Sequence, residues 1–152
     1  MANSQAMCTS FKVDILNGKH AFGASVIRAA TTKDSFKAAL YLASGSLGAA
    51  TAAYGTTSEV SGTNSVAGGV AVTNGTDPAT SGTSAIWTPT ASIVYTNVTL
   101  ATAFDCVLIY NDTAAGKNAV SVHTFGSQTI TAGTLTLTMP AHAVGTALIQ
   151  IT

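Results

Sequence analysis

The sequence predicts a mainly β protein, an antiparallel, jelly-roll-like β-sandwich with one short N-terminal helix. Three observations support this prediction: short alternating apolar segments recur through the second half of the chain, turn residues separate them, and no helical pattern lies between them. Strands joined without helical crossovers pair antiparallel and bury their apolar faces between two sheets. A closed barrel is the alternative architecture.

The strand pattern is clearest in six short segments of the second half, each bounded by turn residues. These segments are Ala85–Trp87, Ile93–Thr99, Phe104–Tyr110, Ala119–Phe125, Thr134–Met139 and Ala147–Ile151. In the first half, residues 35–42 place Phe36, Ala38 and Leu40 at alternate positions, which predicts a strand with one buried face.

The N-terminal helix is predicted over residues 5–17. Met7, Phe11 and Ile15 recur at a spacing of four, Ser4 is a suitable N-cap, and Gly18 follows where a C-terminal cap belongs. Residues 1–152 are predicted to form a single domain in which this helix packs on a sheet.

Residues 44–84 form a loop-rich insert of Gly, Ser, Thr, Ala and Asn. One strand, Gly69–Thr73, is predicted within it, followed by a turn at Asn74-Gly75. A long irregular stretch in a compact domain is commonly functional, so this insert is expected to offer surface to a partner.

Charge is scarce along the whole chain. It has six basic and six acidic residues, or 8% charged residues, where soluble domains have about 25%. Threonine takes up about one residue in six instead, which suits half-buried strands. Because a monomer normally keeps a charged surface and a net charge away from zero, much of this neutral surface is expected to be covered by other proteins.

Composition also limits the classes of partner and compartment. The basic residues are scattered, so nucleic acid is not an expected partner. No apolar run is long enough for a membrane span, and residues 1–7 do not resemble a signal peptide, so we expect the chain to be made and kept in the cytoplasm. In that reducing compartment, Cys8 and Cys106 are expected to be buried thiols.

No pattern in the sequence indicates catalysis or a cofactor. His20, His123 and His142 lie far apart, so no metal site is predicted, and a lone strand histidine is more often structural. The glycine-rich segments lack the ending of a phosphate loop, and Gly116-Lys117-Asn118 is better explained as a hairpin turn. We therefore expect a protein that is not an enzyme and binds no metal or cofactor.

Three residues with distinctive side chains have competing interpretations. Trp87 and Tyr95 could anchor an interface, since aromatic residues are enriched there, but closure of the core is the preferred interpretation of Trp87. Glu59, the sole glutamate, could pair with a basic residue, accept hydrogen bonds from loop amides, or remain a solvated loop charge.

A series of short motifs runs through nearly the whole chain in a characteristic order. They are Ser10-Phe11-Lys12, Asn17-Gly18 with His20 and Phe22, Phe36-Lys37-Ala38-Ala39-Leu40-Tyr41, Thr51 and Tyr54, Glu59-Val60-Ser61-Gly62-Thr63, Ala67-Gly68-Gly69, Thr96-Asn97-Val98-Thr99, Leu108-Ile109-Tyr110-Asn111, Phe125-Gly126, Met139-Pro140 and Thr146-Ala147-Leu148-Ile149. This order and spacing resemble a family of small virion proteins of tailed bacteriophages. Two features depart from the family pattern: residues 23–34 form a longer link, and Tyr95 stands where Trp is expected.

The resemblance implies a capsid decoration, or cement, protein. Such proteins are β-sandwich subunits that form homotrimers on the outside of the phage head and clamp neighbouring copies of the major capsid protein. The implied location is therefore the virion head surface, after assembly in the host cytoplasm. Asn3, Ser4 and Gln5, together with the loops around Glu59 and Trp87 and with Tyr95, are the expected contact residues. A tail or fibre protein that binds the host surface is the first alternative, and an enzyme that degrades the host envelope is the second.

Overall fold

The computed structural model describes residues 2–8, 10–11, 15, 18–23, 33–81 and 84–152. Its strands are β1 (Ala6–Met7), β2 (Phe36–Leu42), β3 (Val70–Val72), β4 (Ala79–Ser81), β5 (Ser84–Trp87), β6 (Ile93–Asn111), β7 (Ala119–Leu137) and β8 (Ile149–Ile151). They form a five-stranded sheet in the order β1-β7-β6-β2-β3 and a three-stranded sheet in the order β4-β5-β8. All pairings are antiparallel, so the mainly β, antiparallel prediction is confirmed.

A long hairpin of β6 and β7 provides the centre of the larger sheet. The two strands pair from Tyr110 and Ala119 at the turn to Ile93 and Leu137 at the open end. The turn itself contains Gly116-Lys117-Asn118, as predicted. Each strand joins two segments that the sequence predicted as separate strands, 93–99 with 104–110 in β6 and 119–125 with 134–139 in β7, although β7 ends at Leu137.

This hairpin bends back on itself. Ile93 and Val107 both line one groove, although they are fourteen residues apart in β6. At about 3.3 Å per residue, a straight strand would separate them by about 46 Å. The pairing of β6 with β7 is irregular at several points between Tyr95 and Cys106, and such irregularities bend strands. The first part of β6 consequently lies over β2, where the Tyr95 hydroxyl donates a hydrogen bond of 2.6 Å to the carbonyl oxygen of Ala38.

An aromatic cluster joins the two sheets. Phe36 belongs to β2 of the larger sheet and Trp87 to β5 of the smaller one, and Phe22 lies between them with its ring centroid 4.6 Å from each. The Phe11 and Phe22 rings are nearly perpendicular, with centroids 5.6 Å apart. Trp87 is 2% exposed, and its indole N–H donates to the carbonyl oxygen of Thr76, so Trp87 closes the core.

The predicted N-terminal helix is wrong at its start. Ala6 and Met7 form β1, which pairs with Val122 and Ser121 of β7. The backbone is helical at residues 10, 11 and 15, while residues 9, 12–14 and 16–17 lie outside the described residues. Pairing with a sheet edge supplies hydrogen bonds that the local apolar spacing does not encode, and tertiary context of this kind overrides helical propensity.

The first-half strands match the sequence pattern more closely. β2 confirms the strand predicted over residues 35–42, and β3 confirms the one predicted over residues 69–73. β4 was not predicted, because Ala79–Ser81 carries no large apolar residue and lies beside Pro78. It forms by pairing with β5, from Ala79 opposite Ile86 to Ser81 opposite Ser84.

Gly69 allows the chain to enter β3 against β2. Its φ angle is +78°, in the left-handed region that favours glycine. A Cβ atom at this position would overlap the carbonyl oxygen of Ala38. Glycine is therefore required at position 69 for two reasons: its backbone angle is positive, and a side chain would have no space against β2.

We predict that Gly69→Ala destabilises the protein by at least about 2 kcal/mol, since it combines positive-φ strain with a backbone overlap. Urea unfolding followed by circular dichroism measures this change. Gly55→Ala is the matched control, because a Cβ there meets no atom within 4 Å and the φ angle of Gly55 is not positive. Equal stability of the two variants would contradict the prediction.

Candidate functional site

The N-terminal residues are tied to the end of β2. The Asn3 side-chain amide donates to the Leu42 carbonyl at 3.0 Å and to the Asp105 carboxylate at 2.6 Å, and its oxygen accepts from the Leu47 amide. The Ser4 amide donates to the Leu47 carbonyl. Ser4 and Gln5 are exposed, whereas Asn3 is half-buried. Asn3 thus holds the segment in place, and Ser4 and Gln5 present side chains outward.

Glu59 organises the loop between β2 and β3. One carboxylate oxygen accepts a hydrogen bond of 2.7 Å from the Gly68 amide, and the other accepts one of 2.7 Å from the Tyr54 hydroxyl. The Tyr54 ring stacks on Tyr110 with centroids 4.7 Å apart, and the Tyr110 hydroxyl donates to the Gly68 carbonyl. Of the three interpretations of Glu59, hydrogen bonding to a loop amide is the one that the structure supports.

The tyrosines of this loop are held in their neutral form. Burial, followed by the hydrogen bond to Glu59, raises the pKa of Tyr54 to about 12. Burial also raises the pKa of Tyr110 to about 12, with a smaller effect from the charge of Asp112. Tyr41, whose hydroxyl donates to the Gly55 carbonyl at 2.6 Å, has its pKa raised by burial as well. These hydroxyls therefore remain hydrogen-bond donors throughout the physiological pH range.

The structure brings some of the predicted contact residues together and separates others. Tyr95 and Glu59 line the same small pocket beneath the loop. The loop and the N-terminal segment meet at Leu42, whose amide donates to the Ser58 carbonyl and whose carbonyl accepts from Asn3. Trp87 instead packs beside Phe36 at the opposite end of β2. Tyr95 is 4% exposed and buried like Trp87, so these two aromatic side chains make their contacts inside the subunit.

A groove of about 440 Å³ lies on the inner side of the bend in the β6–β7 hairpin. Its floor is apolar, with Val107, Ile109 and Phe125 among its residues, and its polar residues are all uncharged at neutral pH. These polar residues are Gln5, His123, Thr136, Thr138 and Thr146. A groove of this chemistry can accommodate an uncharged group that combines apolar and hydrogen-bonding atoms.

Among the described residues that line the groove, His123 is the one with a titratable side chain. Its Nε2 atom lies 2.8 Å from the Ser121 hydroxyl, on the same face of β7. Burial lowers the pKa of His123 to about 4, so its imidazole is neutral at pH 7. A serine beside a histidine base is a pattern of nucleophilic catalysis, but the nucleophile must reach a substrate. Ser121 is 2% exposed, and the pair therefore acts as a hydrogen bond within the sheet.

Both cysteines are buried free thiols, as the sequence predicted. Burial raises the pKa of Cys8 to about 11 and that of Cys106 to about 12, which keeps both thiols protonated and weakly nucleophilic. In the described part of the chain, no three residues among His, Cys, Asp and Glu are grouped so as to hold a metal ion. The same part contains no helix with the length and apolar character needed to cross a membrane.

Comparison with known proteins gave no match among family models, curated proteins or solved structures. The site must therefore be interpreted from its own geometry. Sequence analysis did not identify the Ser121–His123 pair or the roles of Tyr54 and Gly68. A periodic pattern could have revealed only the first of these, because residues two apart in a strand share a face.

We predict that Glu59→Ala lowers the free energy of unfolding by about 2 kcal/mol, because hydrogen bonds to a charged acceptor contribute about 1.5–3 kcal/mol and two donors lose theirs. Thermal and urea unfolding measure the loss. Thr57→Ala, an exposed change in the same loop, is the control and should have no effect. If Glu59→Ala were as stable as this control, the carboxylate would be a solvated charge.

We predict that mildly acidic pH destabilises the protein through protonation of His123. The pKa of His123 is about 4 when folded and about 6.5 when unfolded, so the unfolded chain binds a proton first as the pH falls. Stability is therefore fully present above pH 6.5 and is lost progressively down to pH 4, by roughly 2 kcal/mol between pH 7 and pH 5. Urea unfolding at both pH values should show this loss, and His123→Gln should reduce it. An equal loss in the variant would assign the pH dependence to other groups.

Proposed function

We propose that this chain is a capsid decoration, or cement, protein of a tailed bacteriophage. As a jelly-roll-like β-sandwich subunit, it binds the outside of the head as a homotrimer and stabilises the lattice of the major capsid protein. The order of motifs along the sequence supports this proposal, as does one structural observation, the uncharged surface of the long hairpin.

The hairpin surface has an unusual composition for exposed protein. Residues 119–152 and 78–104 contain no Asp, Glu, Lys or Arg. Exposed positions on β6 and β7 are occupied instead by Thr, Ser, Ala, Gly, Asn and Val. Such a surface loses little on desolvation compared with a charged one, so it favours permanent contact with other proteins.

Several charged residues of the described chain are engaged within the subunit. Asp112 pairs with Lys37 at 3.2 Å and with Lys117 at 2.7 Å, and these lysines lower the pKa of its carboxyl group. Asp105 accepts from Asn3, and Glu59 accepts from the loop. Charge is thus used to fix turns and termini, which leaves the broad strand surfaces neutral for association.

The resemblance motifs also have a structural explanation. Tyr54, Glu59, Gly68, Gly69 and Tyr110 all belong to motifs that carry the resemblance. Four of them form the hydrogen bonds that attach one loop to β6, and Gly69 allows the same loop to approach β2 closely. These motifs would preserve the fold across a family. The capsid contact itself is proposed to involve Ser4 and Gln5, which are exposed, near the loop that Glu59 holds.

Stabilisation of a capsid by such a subunit follows from mass action. A protein that binds the expanded shell better than the ruptured one shifts the equilibrium toward the intact shell, and contacts repeated over the lattice add up. The role is proposed to be binding alone, since the Ser121 hydroxyl is closed off from substrate.

The test is to label purified virions with an antibody against this chain and to quantify the chain against the major capsid protein. We expect label over the whole head at a near-stoichiometric copy number. Heads stripped of the chain should rupture at lower temperature and under milder osmotic shock, and adding the purified chain should restore resistance. Stripped heads as robust as decorated ones would overturn the cement role.

A tail or fibre protein that recognises the host surface is the second candidate. The groove beside His123 favours it, because neutral hydroxyl and amide groups above an apolar floor suit a neutral glycan. Label confined to the tail, at a few copies per virion, would support this function over decoration.

A further inference from the structure

The outer edge of β7 is free over most of its length. On one side β7 pairs with β6 from end to end. On the other side, among the described residues, it pairs with β1 at Ser121 and Val122 and accepts a hydrogen bond from the Cys8 amide at the Val120 carbonyl. Among the described residues, no further strand or loop backbone forms hydrogen bonds with this edge between residues 126 and 137. The backbone donors and acceptors that point away from β6 are therefore available to another strand.

This edge lacks two of the features that normally prevent strand pairing, namely charge and proline. Proteins protect exposed edges with lysine or other charges, with proline, with β-bulges, or by keeping the edge strand short. The pairing of this segment with β6 is irregular between Gln128 and Gly133, so the edge bends there. Residues 126–137 contain no charged residue and no proline. Among the described strands, the other free edges are the outer edges of β1, β3, β4 and β8, which have two or three residues each, and the edge of β6 before Phe104, which has only an isolated bridge at Thr99.

The edge is also accessible from both faces of the sheet. Most residues between Gly126 and Thr136 are exposed, including Ser127, Thr129, Thr131 and Thr134. Their side chains are short and uncharged, so an incoming strand would meet neither bulk nor a charge to desolvate. The geometry fits the addition of one extended strand, with backbone hydrogen bonds providing the affinity.

We propose that residues 126–137 of β7 pair with an extended strand from a second copy of this chain. This edge is the surface through which the proposed cement protein would self-associate. The inference rests on the proposed function only for the expectation of a homotrimer. A second copy fits because its own free edges, including the edge of β6 before Phe104, are equally uncharged. In a closed ring of three, the β7 edge must meet a different surface of the next copy, as these edges allow.

The experiment uses the purified full chain and a double variant, Thr129→Lys with Thr131→Lys. Both threonines are exposed, so the variant should fold, while two ammonium groups at the edge would have to be desolvated on pairing. We expect the wild-type chain to sediment as an oligomer and the variant as a monomer, with the dissociation constant raised at least about 100-fold. Thr56→Lys with Thr57→Lys adds the same charge at exposed loop positions and should leave the oligomer intact.

Hydrogen exchange of the wild-type chain provides a readout that does not depend on the folding of a variant. Dilution below the dissociation constant should speed exchange at backbone amides within residues 126–137, and amides of β2 should be unaffected. A wild-type chain that remains monomeric at high concentration would overturn the proposal. So would an oligomer whose β7 amides exchange equally fast at every concentration, or one that the lysine pair leaves intact. None of these results depends on virion labelling. The sedimentation and exchange experiments can therefore contradict this inference without contradicting the cement role, and virion labelling can contradict the cement role without contradicting this inference.

Discussion

The bend of the β6–β7 hairpin is the constraint on which the rest of the structure depends. Because the hairpin turns back, β6 contributes Val107 and Ile109 to one layer and Tyr95 and Val98 to the layer above it. Tyr95 then reaches the carbonyl of Ala38, which ties the returning part of β6 to β2. A straight hairpin would leave two apolar faces in water, so hydrophobic burial and the irregular pairing together favour the bent form.

Two polar networks lie next to the layers that the bend brings together. The end of β2 receives the N-terminal segment through Asn3 and the loop through Ser58, while Glu59 secures that loop to Gly68. Hydrogen bonds to a buried or half-buried carboxylate have fixed geometry, and they determine the positions of residues far apart in the sequence. The exposed side chains of Ser4 and Gln5 are therefore presented from a rigid support, as a binding surface requires.

The sequence predicts the local part of this fold and misses the part set by distant contacts. Alternation identified β2 and most of β6 and β7, because one buried face imposes a period of two. It did not reveal that residues 93–111 form one strand, since Ala101 to Ala103 are exposed and carry no alternation. The helix predicted from Met7, Phe11 and Ile15 fails at Met7, which pairs with Ser121 instead. For Glu59, the sequence offered three roles, and only the position of Gly68 distinguishes them.

The structure shows where the few charged residues are used. Asp112, Asp105 and Glu59 each hold a turn, a terminus or a loop, so these three acidic groups contribute to the folded structure as well as to solubility. A sheet edge of twelve uncharged residues would be a liability in a monomer, because it can pair with any exposed strand. A stable protein can carry such an edge when a specific partner covers it. In the proposed assembly, this uncharged edge would be covered by neutral strands of a second copy, and their contact would desolvate no charge.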